Sequence, residues 1–176
     1  HAPTGAAFTA GHSGSSLNCW EMVLLAAYQV GVIDWAFLNQ LYRRNGADYE
    51  QAWISMLTSG GAKTYQVGNA RTERPASGDI VFFDNLSHVA LGTGETVNGQ
   101  SKVYSFWPPA NITVADLVAA ISANDQSVLD RLNHGRVEVT TIETLTGWMA
   151  ESDRHAELGG SGAGNSPTVT FYSPSW

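Results

Sequence analysis

Hydrophobic residues recur at helical spacing through the first third of the chain. Between Cys19 and Val32 the apolar positions fall three or four residues apart, which predicts a nearly buried helix that Gly31 ends. The same spacing continues after Asp34, whose short carboxylate suits the start of a second helix. The three predicted helices span residues 19–32, 34–46 and 48–57. A glycine pair at residues 60–61 is expected to close the third.

The pattern then changes to the β-branched and aromatic residues that favour strands. The predicted strands span residues 63–67, 80–83, 87–91, 102–107 and 136–141. Residues 92–100 are expected to form a loop that turns at Asn98-Gly99. The short connections predict that the strands at 80–83, 87–91 and 102–107 are antiparallel neighbours.

Later segments complete an α+β pattern. Helical spacing returns over 113–132, with a break near 122–125, and over 142–157. Residues 1–16 are small and polar and are expected to form a flexible arm. Residues 159–176, rich in Gly and Ser, are expected to form a flexible tail whose aromatic residues can dock. One domain spanning 17–158 lies between them.

Composition and charge restrict the function. The 176 residues suffice for one well-packed domain, and the net charge of -7 argues against a nucleic-acid partner. A single cysteine excludes an internal disulfide and a cysteine-based zinc cluster. No apolar run is long enough to predict a membrane span, and no metal or cofactor motif is present. Because the chain begins at His1 without a methionine, we expect a fragment, a processed product or a domain of a larger chain.

The one cysteine lies where a helix begins. Asn18 and Glu21 have the spacing of a capping box around Cys19. At the start of a helix, unpaired N–H groups and the helix dipole favour the nucleophilic thiolate. The alternative is that Cys19 is a small buried hydrophobe, as many free cysteines are.

A thiol nucleophile needs a base, and His88 lies inside a convincing strand with apolar neighbours on both sides. The other four histidines fall in the expected arm, at a helix end or in a polar stretch. In strand alternation His88 shares a face with Ala90 and Gly92, which leaves room for a helix end or a substrate. The alternative is a core histidine bonded to a carbonyl group.

Taken together, these features resemble a known family. Cys19 at the head of a buried helix, the run Pro75–Phe83 and the run Ser87–Leu91 resemble the NlpC family of papain-like cysteine peptidases and its CHAP relatives. The resemblance covers residues 16–107. It implies a papain-like fold in which the cysteine helix packs on a small antiparallel sheet, with further helices C-terminal to it.

The chain also resembles cysteine-hydrolase domains of bacterial polymorphic toxins and injected effectors. The stretches that carry this second resemblance are Asn18-Cys19-Trp20-Glu21 and Ser105-Phe106-Trp107-Pro108. It implies a secreted or injected domain of a larger bacterial chain, with a cognate immunity protein as a partner if the domain is a toxin.

The family implies a third polar residue on the strand after the histidine. By position this is Ser105, with Asn98 and Glu95 in the preceding segment as rivals. A serine departs from the residues usual there, and its alternative role is to fill a gap between aromatic side chains. The substrate-binding residues suggested by position are Asn18, Trp20 and Trp107. Asn18 and Trp20 flank the thiol where the wall peptidases have smaller residues, which weakens the case for peptidoglycan.

The expected activity is therefore thiol-dependent hydrolysis or acyl transfer at amide bonds, without a cofactor. Proteolysis, deamidation and transglutamination all remain open, because one Cys-His dyad serves each of them. The expected partner is a protein or peptide substrate, with peptidoglycan peptide as the alternative. Two other classes remain: a catalytically inactive binding module, and a structural domain that docks through its C-terminal aromatic residues.

Overall fold

The computed structural model describes residues 19–43, 49–84, 87–107, 113–128 and 136–176. Its helices are α1 Cys19–Gln29, α2 Trp35–Tyr42, α3 Tyr49–Leu57, α4 Val114–Ala123 and α5 Ile142–Asp153, followed by a short 3-10 helix at Ala156–Leu158. Its strands are β1 Thr58–Tyr65, β2 Ser77–Phe83, β3 His88–Val97, β4 Gln100–Trp107, β5 Arg136–Thr141 and β6 Val169–Pro174. The predicted arm at residues 1–16 lies outside these ranges, as does Asn18.

The strands form one sheet in the order β1-β6-β2-β3-β4-β5, and every neighbouring pair is antiparallel. The predicted antiparallel meander of β2, β3 and β4 is confirmed, and so is the α+β class. In the described ranges, no helix has both the length and the apolar character that crossing a bilayer requires.

Both faces of the sheet are covered, which explains why β2 is apolar at successive positions. On one face Ile80, Phe82 and Val89 pack with the core residues of α1, α2 and α3. On the other face Val81, Phe83 and Ala90 pack with Ile142 and Leu145 of α5. Each of these sheet residues is fully buried. The sheet therefore separates the cysteine helix from α5.

Local signals fix most helix ends. Asp34 caps α2, because its Oδ1 accepts a hydrogen bond from the Phe37 N–H at 2.8 Å. Thr113 and Asp116 form a reciprocal capping box at the start of α4. Asn124 then adopts the left-handed conformation and ends that helix, which confirms the predicted break near residues 122–125.

Two predicted turns are instead parts of strands. Gly60 and Gly61 lie inside β1, whose register with β6 shifts between Ser59 and Lys63. Strand β3 continues to Val97, so the predicted loop at 92–100 shrinks to the two residues Asn98 and Gly99, both with positive φ. This is the backbone that a two-residue hairpin requires, and it allows the strands to pair up to the turn.

The expectation of a flexible tail over 159–176 is wrong for its second half. Residues 169–174 form β6, which lies between β1 and β2 inside the sheet, and Phe171 is fully buried. A short alternation of β-branched and aromatic residues between Pro167 and Pro174 was the available signal. The glycines and serines of 159–166 concealed it. The folded unit therefore extends past residue 158.

Candidate functional site

Cys19 is the first residue of α1 and is only partly buried. Its Sγ lies against three backbone N–H groups, those of Val89, Trp20 and Cys19 itself. Burial nevertheless raises the pKa of the thiol, and the nearby Glu21 carboxylate adds to the rise, while the N–H groups oppose it. The expectation that the helix start yields a thiolate is thus corrected, because desolvation outweighs the N–H groups. The resting group is a thiol.

The Val89 N–H is available to the thiol because of the strand register. In the described residues, β3 pairs with β2 as far as His88, but the β3–β4 pairs stop at Ala90 opposite Ser105. Val89 therefore lies beyond the last β3–β4 pair, at the end of the sheet where α1 begins. At this position the Cys19 thiol, and not a residue of β4, accepts the Val89 N–H.

His88 is held from two sides and is fully buried. Its Nε2 lies 2.8 Å from the Oγ of Ser105, and its ring lies 5.5 Å from that of Phe83. The register explains the contact with Ser105. Because Ala90 is directly opposite Ser105, His88 is the diagonal neighbour of Ser105 on the same face. The structure thus places Ser105 beside the imidazole, where the strand alternation puts it.

Burial also sets the charge of the imidazole. It lowers the pKa of His88 to about 3, so the ring is neutral at neutral pH. A neutral imidazole can accept a proton, but the burial that lowers its pKa also makes it a weak base in the resting protein. The Ser105 hydroxyl adds no charge, so it orients the ring without stabilising an imidazolium as a carboxylate would.

The thiol and the imidazole lie on opposite faces of β3. Cys19 packs with the apolar cluster on the α1–α3 face, whereas His88 lies on the face of Phe83 and Ala90, which α5 covers. The small-residue face of β3 is thus covered by α5 at Ala90 and by Pro75 and Ala76 at Gly92, and not by the cysteine helix. The two side chains therefore lie on opposite faces of β3 at neighbouring positions, and the N–H that reaches Sγ belongs to the residue after His88.

The two rivals for the third position lie elsewhere. Glu95 is seven residues along β3 from His88, a separation of roughly 20 Å in an extended strand. Its carboxylate pairs with Lys102 at 2.5 Å. Asn98 forms the turn beyond it. Neither side chain reaches the imidazole.

The proposed substrate-binding residues are only partly described. Trp20 is half-buried, and its ring packs against Trp53 and Phe82 with centroids 5.6 Å and 5.5 Å away. This places it in an aromatic cluster beside the thiol. Trp107 ends β4 at the end of the sheet near His88, opposite Arg136 of β5. Asn18 lies outside the described residues, so the capping box it would form with Glu21 does too.

Sequence reasoning missed two contributors to this site. The Val89 N–H is a backbone group, and only the strand register reveals that β4 leaves it unpaired. Phe83 was predicted as a strand residue, but its contact with His88 depends on their being directly opposite each other in β2 and β3. The compact β2–β3 connection was the available signal for that contact.

Comparison of the chain with protein-family models, with curated proteins and with solved structures gave no match in any of the three. The described ranges hold no group of three or more His, Cys, Asp or Glu side chains placed to bind a metal ion. The assignment of function therefore rests on the geometry around Cys19 and His88.

The raised pKa of Cys19 predicts a distinctive pH profile for its alkylation. Because the thiolate is the reactive form, iodoacetamide should label the folded protein more slowly than the urea-unfolded chain at neutral pH. The labelling rate of the folded protein should still rise where that of the unfolded chain has levelled off. A folded-state rate already at its plateau near neutral pH would contradict a neutral resting pair and would indicate a thiolate–imidazolium pair.

Proposed function

We propose that the protein is a thiol-dependent hydrolase or acyltransferase that acts on amide bonds of a protein substrate, with Cys19 as nucleophile and His88 as base. One observation carries the proposal: the thiol at the start of α1 accepts the N–H of Val89, directly after a histidine whose far nitrogen is held by Ser105. This supports the proposal because a candidate nucleophile, a candidate base and an orienting group come from neighbouring positions at one end of the sheet.

The chemistry begins from a neutral pair. In the proposed reaction Nε2–H donates to Ser105, and Nδ1 takes the Cys19 proton as sulfur attacks the amide carbonyl, a step that requires Nδ1 and Sγ to come within hydrogen-bond reach. The imidazolium then gives the proton to the departing nitrogen, and a thioester remains on Cys19. Water or an amine attacks the thioester, and the proton it loses returns to sulfur through the imidazole.

Backbone N–H groups supply the electrostatic stabilisation. The N–H of Cys19 lies at the start of α1, where the helix dipole favours negative charge. A carbonyl oxygen that becomes negative during attack would be stabilised there. Because the resting sulfur is neutral, these N–H groups act mainly as charge develops.

The order of elements supports a papain-like class. A cysteine at the head of a helix, a histidine opening a strand and a polar residue on the next strand occur here in that sequence, and the helix packs on the sheet. We extend the proposal to a bacterial toxin or injected effector domain. The net charge of -7 gives no attraction to an anionic cell wall, which favours a protein target over peptidoglycan.

A catalytically inactive binding module is the second candidate. It is favoured by the burial of His88, whose ring is fully enclosed and lies on the face opposite the α1 cluster. In that case the His88–Ser105 pair is a satisfied polar pair in the core.

One experiment separates the candidates. Wild-type protein and Cys19→Ala are incubated separately with peptidoglycan and with a cell lysate, and the products are analysed by mass spectrometry. The proposal predicts cleavage, deamidation or crosslinking of proteins, dependent on Cys19. Peptidoglycan cleavage alone would move the target to the cell wall. Equal products from both variants, or none, would favour the inactive module.

A further inference from the structure

A cavity of about 560 Å³ opens beside the β2–β3 connection, on the α5 side of the sheet. Asp84 and Ser87 line it from that connection, Trp148, Met149 and Asp153 from α5, and Ser161 from the segment that follows. Ser87 immediately precedes His88, so the cavity adjoins the end of the sheet that carries the candidate site. Its volume falls within the roughly 300–1,000 Å³ typical of ligand sites.

The cavity holds two carboxylates that have only neutral donors. Asp84 Oδ1 accepts the N–H of Thr168 at 2.7 Å. Asp153 accepts the N–H and hydroxyl of Ser161 at 2.8 and 2.7 Å, and the N–H of Asn165 at 2.9 Å. These bonds lower the pKa of Asp153 to about 2, so it stays ionised at neutral pH. Neutral donors fix the carboxylates in place without cancelling their charge.

Within the described ranges no Lys, Arg or His nitrogen forms an ion pair with either carboxylate. The ion pairs found there join Lys102 to Glu95, and both Arg154 and His155 to Glu151. The two basic residues nearest in sequence to Asp153 are therefore directed to another carboxylate. The cavity carries two negative charges with space beside them.

The remaining walls suit an alkyl chain that ends in a cation. Trp148 and Met149 are half-buried and give an aromatic ring and a thioether to the lining. An indole ring attracts a cation placed over its face, and apolar walls accept the methylenes of a long basic side chain.

We propose that this cavity binds a lysine or arginine side chain of the protein substrate. The inference rests on the proposed function for the identity of the substrate, whereas the binding itself needs no catalysis. It gives the enzyme a preference for targets that present a basic side chain to the α5 side of the sheet.

The test is an NMR titration of the full chain with the N-acetyl methylamides of lysine, arginine and norleucine. The lysine and arginine compounds should give saturable shifts at the Trp148 indole and at the N–H groups of Ser87 and Ser161. Norleucine, which has no charge, should bind at least about fivefold more weakly. Comparing lysine with arginine shows which cation the cavity prefers.

Matched variants locate the binding. Asp84→Asn keeps an oxygen acceptor for Thr168 and tolerates the positive φ of 43° at this position, so it removes charge with little strain. It should weaken binding of lysine about fivefold. Glu95→Gln makes the same charge change far along β3 and should leave affinity unchanged.

Three results would overturn the proposal: equal binding of norleucine and lysine, no saturable shift up to the solubility limit, or shifts that map away from the cavity. Cys19→Ala is titrated in parallel and should bind lysine as the wild type does. If this variant binds lysine while the wild type shows no thiol-dependent activity, the proposed function fails and the cavity remains a binding site. If the wild type shows thiol-dependent activity but does not bind lysine, the proposed cavity ligand is refuted and the proposed function stands.

Discussion

Replacing Cys19 by alanine should abolish the amide chemistry, with a loss of at least about a thousandfold in the rate of product formation. The side chain that forms the thioester is then absent, and no described group near Val89 can replace it. His88→Ala should cost a comparable factor, because the thiol has a raised pKa and depends on a base to lose its proton. The measurement is the initial rate on the protein target found by mass spectrometry.

The matched control for His88 is His155→Ala, which removes a half-buried histidine beyond the end of α5 and should leave the rate unchanged. Ser105→Ala should be intermediate, about tenfold slower, because it removes an uncharged orienting contact at 2.8 Å. Full activity in Cys19→Ala or in folded His88→Ala would remove the basis of the assignment.

Phe171→Ala should cost about 3–5 kcal/mol of unfolding free energy, because it opens a cavity in the middle of the sheet. Phe171 is fully buried, and its backbone pairs with Lys63 on one side and Val81 on the other. The loss is measured by urea denaturation monitored by tryptophan fluorescence. Ser173→Ala, at an exposed position of the same strand, should change stability by less than about 0.5 kcal/mol. Two equally small effects would mean that β6 contributes little to the core.

Local chemistry made much of the fold predictable. The Asp34 cap, the Thr113 capping box and the Asn98-Gly99 turn are short-range signals, and each adopts the structure that its residues favour. The position of β6 is a long-range property, because it depends on pairing with β1 and β2, which precede it by about a hundred residues. A reading of local periodicity cannot detect that partner.

In the candidate site, too, local signals were predictable and properties that depend on distant residues were not. Alternation along β3 and β4 predicts that His88 and Ser105 share a face, and they are in contact. The prediction that Cys19 is a thiolate is wrong. The helix start favours the thiolate, but burial raises the pKa of the thiol by more than the N–H groups lower it. Burial depends on Trp20 and the surrounding core, which sequence spacing does not measure. The distance along β3 separates Glu95 and Asn98 from the site, because the predicted loop is strand.

The most direct test of the central claim is an acid-quenched single turnover of wild-type protein with its target, analysed by intact mass and peptide mapping. We expect a covalent acyl adduct on the peptide that contains Cys19, removed by hydroxylamine and absent from Cys19→Ala. Product formation without any adduct on Cys19, at a rate equal to that of Cys19→Ala, would contradict it.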